Sequence, residues 1–233
     1  MARRYDSEDS RRRILSACVK LFIEKGYHET KMAEILKAAD VTNSTFYNIF
    51  RTKDGVLLDL TEFMFANQFE MAGHIMNGCK DSVKLYAVET SIQMTLAELN
   101  EKLREVYVEA YSNPKIAEYI YQQTSSKLSV IFAGYLPGYT ESDFYELEVG
   151  SSGIMRGYMS RPCDKYFTLD RKLERFLEMS LRAYNIPESE RTDVIDYIKK
   201  MDICATANAV MQKLFNALAM KYEFELKDNA GLD

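Results

Sequence analysis

Residues 26–57, GYHETKMAEILKAADVTNSTFYNIFRTKDGVL, constrain the fold more than any other stretch, because they fit only short helices arranged about one tight turn. Met32, Ile35, Leu36 and Ala39 recur at helical spacing. Asp40 to Thr42 supply the turn, and Phe46, Ile49 and Phe50 form the apolar side of the next helix. This is the order of a helix-turn-helix, whose second helix enters a DNA major groove. Alone it is a weak signal, since any two short amphipathic helices imitate it. The flanks strengthen it. Arg12 to Lys25 carries Ile14, Leu15, Cys18, Leu21 and Phe22 on one helical face and stops at Gly26, a good C-terminal cap. Thr52 is placed to cap a further helix with the stripe Val56, Leu57, Leu60, Phe63 and Met64.

The stretches ILSACVKLF, GY, TKMAEILKAADVTNSTFYNIF and RTKDGVL resemble, in order and spacing, the N-terminal domain of the TetR family of bacterial regulators. The resemblance covers about the first quarter of the chain. It implies a helix-turn-helix domain over 1–52 and a larger helical effector-binding and dimerisation domain over 53–233. It also implies a double-stranded DNA operator with inverted repeats, a homodimer, and a small-molecule effector that relieves repression. Three positions depart from the family pattern. Asp40 stands where glycine is usual, at a turn position expected to need positive φ, which Asp tolerates. Ser44 replaces a frequent glycine, adding a hydroxyl but limiting backbone approach to a phosphate. Ile49 replaces a common histidine or aromatic residue.

Thr42 is placed to cap the recognition helix, which puts Asn43, Ser44 and Thr45 in its first turn, the part that reaches base edges. Asn43 suits paired hydrogen bonds to adenine, and Thr45 suits a thymine methyl. Capping is the competing role for Thr42 and Asn43. Asn48 lies one turn further along the same helix. Tyr47 and Lys53 resemble the family's phosphate-contacting tyrosine and lysine. The alternative for Tyr47 is a half-buried ring packed on the first helix. Thr30 reads as the cap of the second helix and a further phosphate ligand. The helix carries no Lys or Arg, so its affinity must come from contacts around it.

Net charge is −5, but its distribution matters more than its sum. Residues 1–60 hold 11 Lys and Arg against 9 Asp and Glu, so the first quarter is positive and the remainder negative. Arg3, Arg4, Arg11, Arg12 and Arg13 fit either an arm that tracks DNA or a solvated helix start. The charged N-terminus lacks a signal-peptide core and no apolar run has membrane-spanning length, so a cytoplasmic protein without membrane contact is expected. The four cysteines, Cys18, Cys79, Cys163 and Cys204, lack paired metal-ligand spacing and read as buried thiols.

Beyond about residue 75 the pattern is all-α, with helices expected over 82–100, 102–112, 115–134, 142–161, 168–185 and 189–225. Gly150, Gly153 and Gly157 within one helix imply a close helix contact, and Ala205 and Ala209 give the last helix a similar face. Any two of the last three helices can therefore form the dimer bundle. Sixteen tyrosines and twelve methionines supply material for an apolar pocket with polar tips. The candidates are Tyr86, Met94, Tyr107, Tyr111, Tyr119, Phe132, Tyr145, Met155 and Tyr158, each with ordinary core packing as its default role. An enzyme is not expected, because two histidines, no nucleophile motif, no metal cluster and no phosphate loop offer it nothing. No cofactor is implied. The rivals are a helical protein-binding scaffold with a vestigial DNA face and a thiol-based redox regulator, which needs an exposed thiol of low pKa such as Cys163 beside Arg161 and Lys165.

Overall fold

The computed structural model describes residues 2–76 and 81–217. Among these there are eleven helices and no strand: α1 (Ala2–Lys25), α2 (Met32–Ala39), α3 (Asn43–Ile49), α4 (Lys53–Ile75), α5 (Ser82–Leu99), α6 (Glu101–Ser112), α7 (Pro114–Phe132), α8 (Glu141–Met159), α9 (Leu169–Ala183), α10 (Glu188–Lys199) and α11 (Ile203–Ala217). None is long and apolar enough to cross a membrane.

The first three helices close over Ile14, Cys18, Phe22, Ile35, Phe46 and Phe50, all buried. The turn between α2 and α3 forms because Asp40 adopts φ 50° and ψ 55°. Its N–H then reaches the Lys37 carbonyl at 3.3 Å, and that of Val41 the Leu36 carbonyl at 3.1 Å. The Arg13 guanidinium locks the turn from α1, donating to the Ala39 and Asp40 carbonyls at 2.9 Å each. Thr42 caps α3 by accepting the Thr45 N–H at 3.1 Å, and Thr52 accepts that of Gly55 at 3.1 Å at the start of α4.

The remaining helices surround α5, whose residues 86–97 are all buried. Helices α4 and α6 to α11 each pack against it. Ends follow local chemistry: Asp81, Asn100, Asn113, Thr140 and Thr168 accept N–H groups at the starts of α5 to α9.

Two expectations about boundaries are corrected. Helix α1 begins at Ala2, not Arg12, so the N-terminal arginines lie on a helix and not on an extended arm. Arg11 binds Asp59 through Nε at 2.9 Å, Arg12 lies 3.4 Å from Asp9, and Arg13 holds the turn; the side chains of Arg3 and Arg4 lie outside those described. The expected single helix over 189–225 divides at residues 200–202 into α10 and α11, and its last residues lie beyond those described. Asp202 makes the break by accepting the Ala205 N–H at 2.9 Å, a new N-cap that hydrophobic periodicity does not register.

Gly26 and Gly138 both hold positive φ, 93° and 90°. A Cβ on Gly26 collides with the Glu105 carboxylate, whereas one on Gly138 meets open space. Alanine at either position adds about 1–3 kcal/mol of backbone strain, and at Gly26 it also displaces Glu105. Urea denaturation should therefore show a larger loss for Gly26→Ala than for Gly138→Ala; an equal or smaller loss at Gly26 contradicts this account.

Candidate DNA-reading face and ligand cavity

On α3 the side chains of Asn43, Ser44, Tyr47 and Asn48 are exposed and share one face, while Phe46 and Phe50 anchor the other in the core. Tyr47 is 63% exposed, so its ring does not pack on α1. Thr42 and Thr45 divide differently. Their hydroxyls lie 2.9 Å apart, and Thr45 is half-buried, so both belong to the cap as much as to the face. Arg51, two residues beyond α3 and absent from the sequence-based candidates, is exposed at φ 63°. A cation just past the end of the helix was a signal available in the sequence.

Thr30 does not cap α2. It is buried, and its hydroxyl donates to the Gly26 carbonyl at 2.7 Å; Lys31 precedes the helix, with its own N–H accepted by Glu34 at 3.1 Å. Lys53 is half-buried and turned inward: Nζ donates to the Tyr27 carbonyl at 2.7 Å and the Thr30 carbonyl at 3.2 Å, and lies 4.3 Å from the Tyr27 ring centre. Two of its three donors thus hold the α1–α2 loop.

The same loop is tied to α6. The His28 N–H donates to Glu105 at 2.5 Å and its Nε2 lies 3.6 Å from Glu109. From α4, Asp54 accepts the Tyr27 hydroxyl at 2.5 Å and the Asn113 amide, at the end of α6, at 3.0 Å.

Beneath α1 and α4 lies an apolar cavity of about 80 Å³. Phe22, Leu57, Leu60, Tyr107, Ala110 and Tyr111 are among its walls, with Gln93 as a polar exception. Gln93 and Tyr111 also border a polar space of about 20 Å³ beside Glu89, Glu148, Ser151 and Tyr86. Gln93 links the two: its amide donates to Glu89, and its carbonyl oxygen accepts the Tyr111 hydroxyl at 3.0 Å. Glu148 accepts from Ser151 at 2.8 Å and lies 3.5 Å from the Tyr184 hydroxyl. Burial raises both carboxyl groups, Glu89 to about 7, where Gln93 and Lys127 oppose the shift, and Glu148 to about 8, where Glu89 adds to it.

Of the nine aromatic and methionine candidates, Tyr107 and Tyr111 line the apolar cavity, and Tyr86, Tyr111 and Met155 the polar space. The others stand elsewhere. Met94 is core, Phe132 stacks on Tyr184 at 4.2 Å, Tyr119 is half-buried outside both spaces, Tyr145 donates to Glu118 at 2.8 Å beside a surface groove, and Tyr158 packs on Phe167. The two glutamates were missed. Their signal was a charged residue inside the apolar runs YAVETSIQM and FYELEVGSS, where burial is costly.

Burial also raises two thiols, Cys18 to about 12 and Cys163 to about 11 despite Lys172, so neither is the low-pKa thiol a redox regulator needs. Cys79 lies outside the described residues, as does the side chain of His74. Among the described residues no cluster of His, Cys, Asp or Glu can hold a metal.

The raised carboxyls have a consequence for stability. The folded chain holds protons on Glu89 and Glu148 that the unfolded chain releases above its ordinary value of 4.5, so stability falls as pH rises from there through about 7 and 8 and then levels. Glu98 and Glu178 are shifted downward and act with the opposite sign, but below 4.5. Urea midpoints measured across this range should decline, and less steeply in Glu148→Gln; an equal slope in both proteins refutes the assignment.

Comparison with known proteins agrees with the geometry of the first helices. Residues 14–60 match the profile of the bacterial regulatory proteins, tetR family. An uncharacterized HTH-type transcriptional regulator, YdgC of Bacillus subtilis (strain 168), is 38% identical over 56 residues, 24% of this chain and 29% of that protein. The HTH-type transcriptional regulator HbdR of Aromatoleum sp. (strain CIB) is 31% identical over 93 residues, 37% of this chain and 41% of that one. The matched region thus spans less than half the length of these curated relatives. The crystal structure of RolR in complex with its ligand resorcinol aligns with a TM-score of 0.63 over 82% of this chain and 95% of that one, at 15% identity, and shows a shared fold.

Proposed function

We propose that this chain, a transcriptional regulator of the TetR family by its helix-turn-helix domain, is a ligand-responsive repressor that binds an inverted-repeat operator as a homodimer. The observation that carries the reading is the double role of α6. One side of it, with Tyr107, Ala110 and Tyr111, walls the cavity, and Glu105 and Glu109 tie it to the loop that enters α2. A small molecule that moves α6 therefore moves the reading head. The division into a DNA-binding part, 1–52, and a sensing and dimerising part, 53–233, places Lys53 and Asp54 at the seam, where both bind the α1–α2 loop. The RolR complex supports a pocketed fold; effector identity has to come from the chemistry of this cavity.

The exposed face of Asn43, Ser44, Tyr47 and Asn48 supports base and phosphate contacts over a vestigial surface, since it leaves polar groups in the first turns of a helix anchored by two phenylalanines. Arg51 takes the positioning role that the resemblance assigned to Lys53, whose ammonium instead holds the loop. In this reading Arg51→Ala weakens binding on all sequences and reduces the salt slope by about one contact. Asn43→Ala relaxes one base position by about 1–3 kcal/mol. Gel shifts on selected and scrambled DNA at several salt concentrations separate the two, and loss of base preference in Arg51→Ala contradicts the assignment.

The dimer face we assign to α8 with α9. Cβ atoms built on Gly150, Gly153 and Gly157 meet nothing within 4 Å among the described residues, although these glycines destabilise a helix unless a partner comes close. Val149 and Met179 are exposed beside them, at 40% and 47%. Gly153→Arg should give a monomer in sedimentation that no longer binds the inverted repeat; a dimer with full operator affinity places the interface elsewhere. The cytoplasm, where the operator lies, is the expected site of action.

Sensing is tested by reciprocity. A ligand that weakens operator binding tenfold must itself bind about 1.4 kcal/mol more weakly when operator is present. Equal ligand affinity with and without operator rejects the sensor and leaves a dimerisation scaffold.

A further inference from the structure

We infer that the effector is an amphiphilic amine: an apolar body in the cavity beneath α1 and α4, and a protonated primary or secondary amine directed at Glu89 and Glu148. This rests on the sensor reading above and adds the chemical class of its ligand.

Apart from Thr61 and the tips of its tyrosines, the cavity wall is apolar except at Gln93, which also borders the polar space. In the cavity wall the Tyr107 hydroxyl is buried without a hydrogen-bond partner, and Thr124, bordering the polar space, has a buried hydroxyl in the same condition. Buried unpartnered hydroxyls are costly, and a ligand group entering here satisfies them.

The groups facing this point come from five segments. Helix α5 brings Glu89 and Tyr86, α6 brings Tyr107 and Tyr111, α7 brings Lys127, α8 brings Glu148, and Tyr184 follows α9. Among these groups there are two carboxyls and one ammonium. Lys127 bears on Glu89. Glu148 faces Ser151, Tyr184 and Glu89, none of which supplies positive charge. Without a ligand the second carboxyl is accommodated by keeping its proton. When an ammonium arrives, Glu148 releases that proton to solvent, and an amine N–H donates to the resulting carboxylate. No covalent bond to the ligand forms or breaks. A carboxylate ligand meets two acidic groups here and is repelled, while an alcohol fits the cavity without displacing the proton.

Isothermal titration of the full-length protein with 2-phenylethylamine and hexylamine, and with 2-phenylethanol, hexanol and phenylacetate, distinguishes these cases. Two buffers of different ionisation enthalpy report proton release. The amines should bind at least about tenfold more tightly than the alcohols, release about one proton per site near neutral pH, and gain affinity as pH rises through the Glu148 range. Glu148→Gln, with its fold checked by thermal melting, should lose the proton release and about tenfold in amine affinity. If that variant fails to fold, the pH dependence of amine binding to the unaltered protein decides. Alcohols or phenylacetate binding as tightly as the amines, or amines binding without proton release, overturn the inference.

Operator titrations with the same compounds keep the two readings apart. Alcohols that bind and weaken operator affinity while the amines do not leave the sensor standing and reject the amine. Amines that bind with proton release but leave operator affinity unchanged keep the cation site and reject sensing. If no compound binds, the amine inference falls.

Discussion

Enclosure of α5 on every side is the constraint from which the rest of the structure follows. Each helix from α4 onward packs against it, so the polar side chains of residues 86–97 are removed from water; the Ser91 and Thr95 hydroxyls have no hydrogen-bond partner there, and the others are satisfied inside. Glu89 and Gln93 do this by pairing one turn apart, and Gln93 passes the network on to Tyr111 of α6. An all-aliphatic helix here would have packed as well or better, because a buried polar network stabilises only when every member is matched. Leaving Tyr107 unpartnered beside this network marks a place where a close-packed core has been interrupted.

The second organising feature is that cations near the reading head work within the chain. Arg13 fixes the turn before α3, Arg11 joins α1 to α4, and Lys53 holds the loop before α2. These bonds within the chain fix the geometry of a recognition helix only seven residues long. Such a helix has little stability of its own. It depends on Phe46 and Phe50, on the Thr42 cap and on these clasps.

The helix-turn-helix was legible in the sequence because each of its determinants is local: apolar residues three and four apart, cap residues, and a turn residue able to take positive φ. Asp40 and Thr42 stand as their chemistry indicated. Thr30 does not cap α2, and the partners of Lys53 were not legible in the sequence, for a common reason. Both are typed correctly as hydrogen-bonding residues, but their partners are carbonyls of a loop whose path depends on α4 and α6. The break between α10 and α11 was visible only as one Asp within an apolar pattern. Tyr86, Tyr107, Tyr111 and Met155 line the internal spaces while Met94 and Phe132 are core, and helical spacing makes no distinction between these groups.

The sequence by itself determined an all-α chain with a DNA-reading module at its start, because periodicity, caps and turns act over a few residues. Only the tertiary structure decided which hydroxyls are buried, which cations are already engaged, and that Glu89 and Glu148, 59 positions apart, share one enclosed space. Those properties depend on the removal of water and the convergence of distant helices, and no local pattern encodes either.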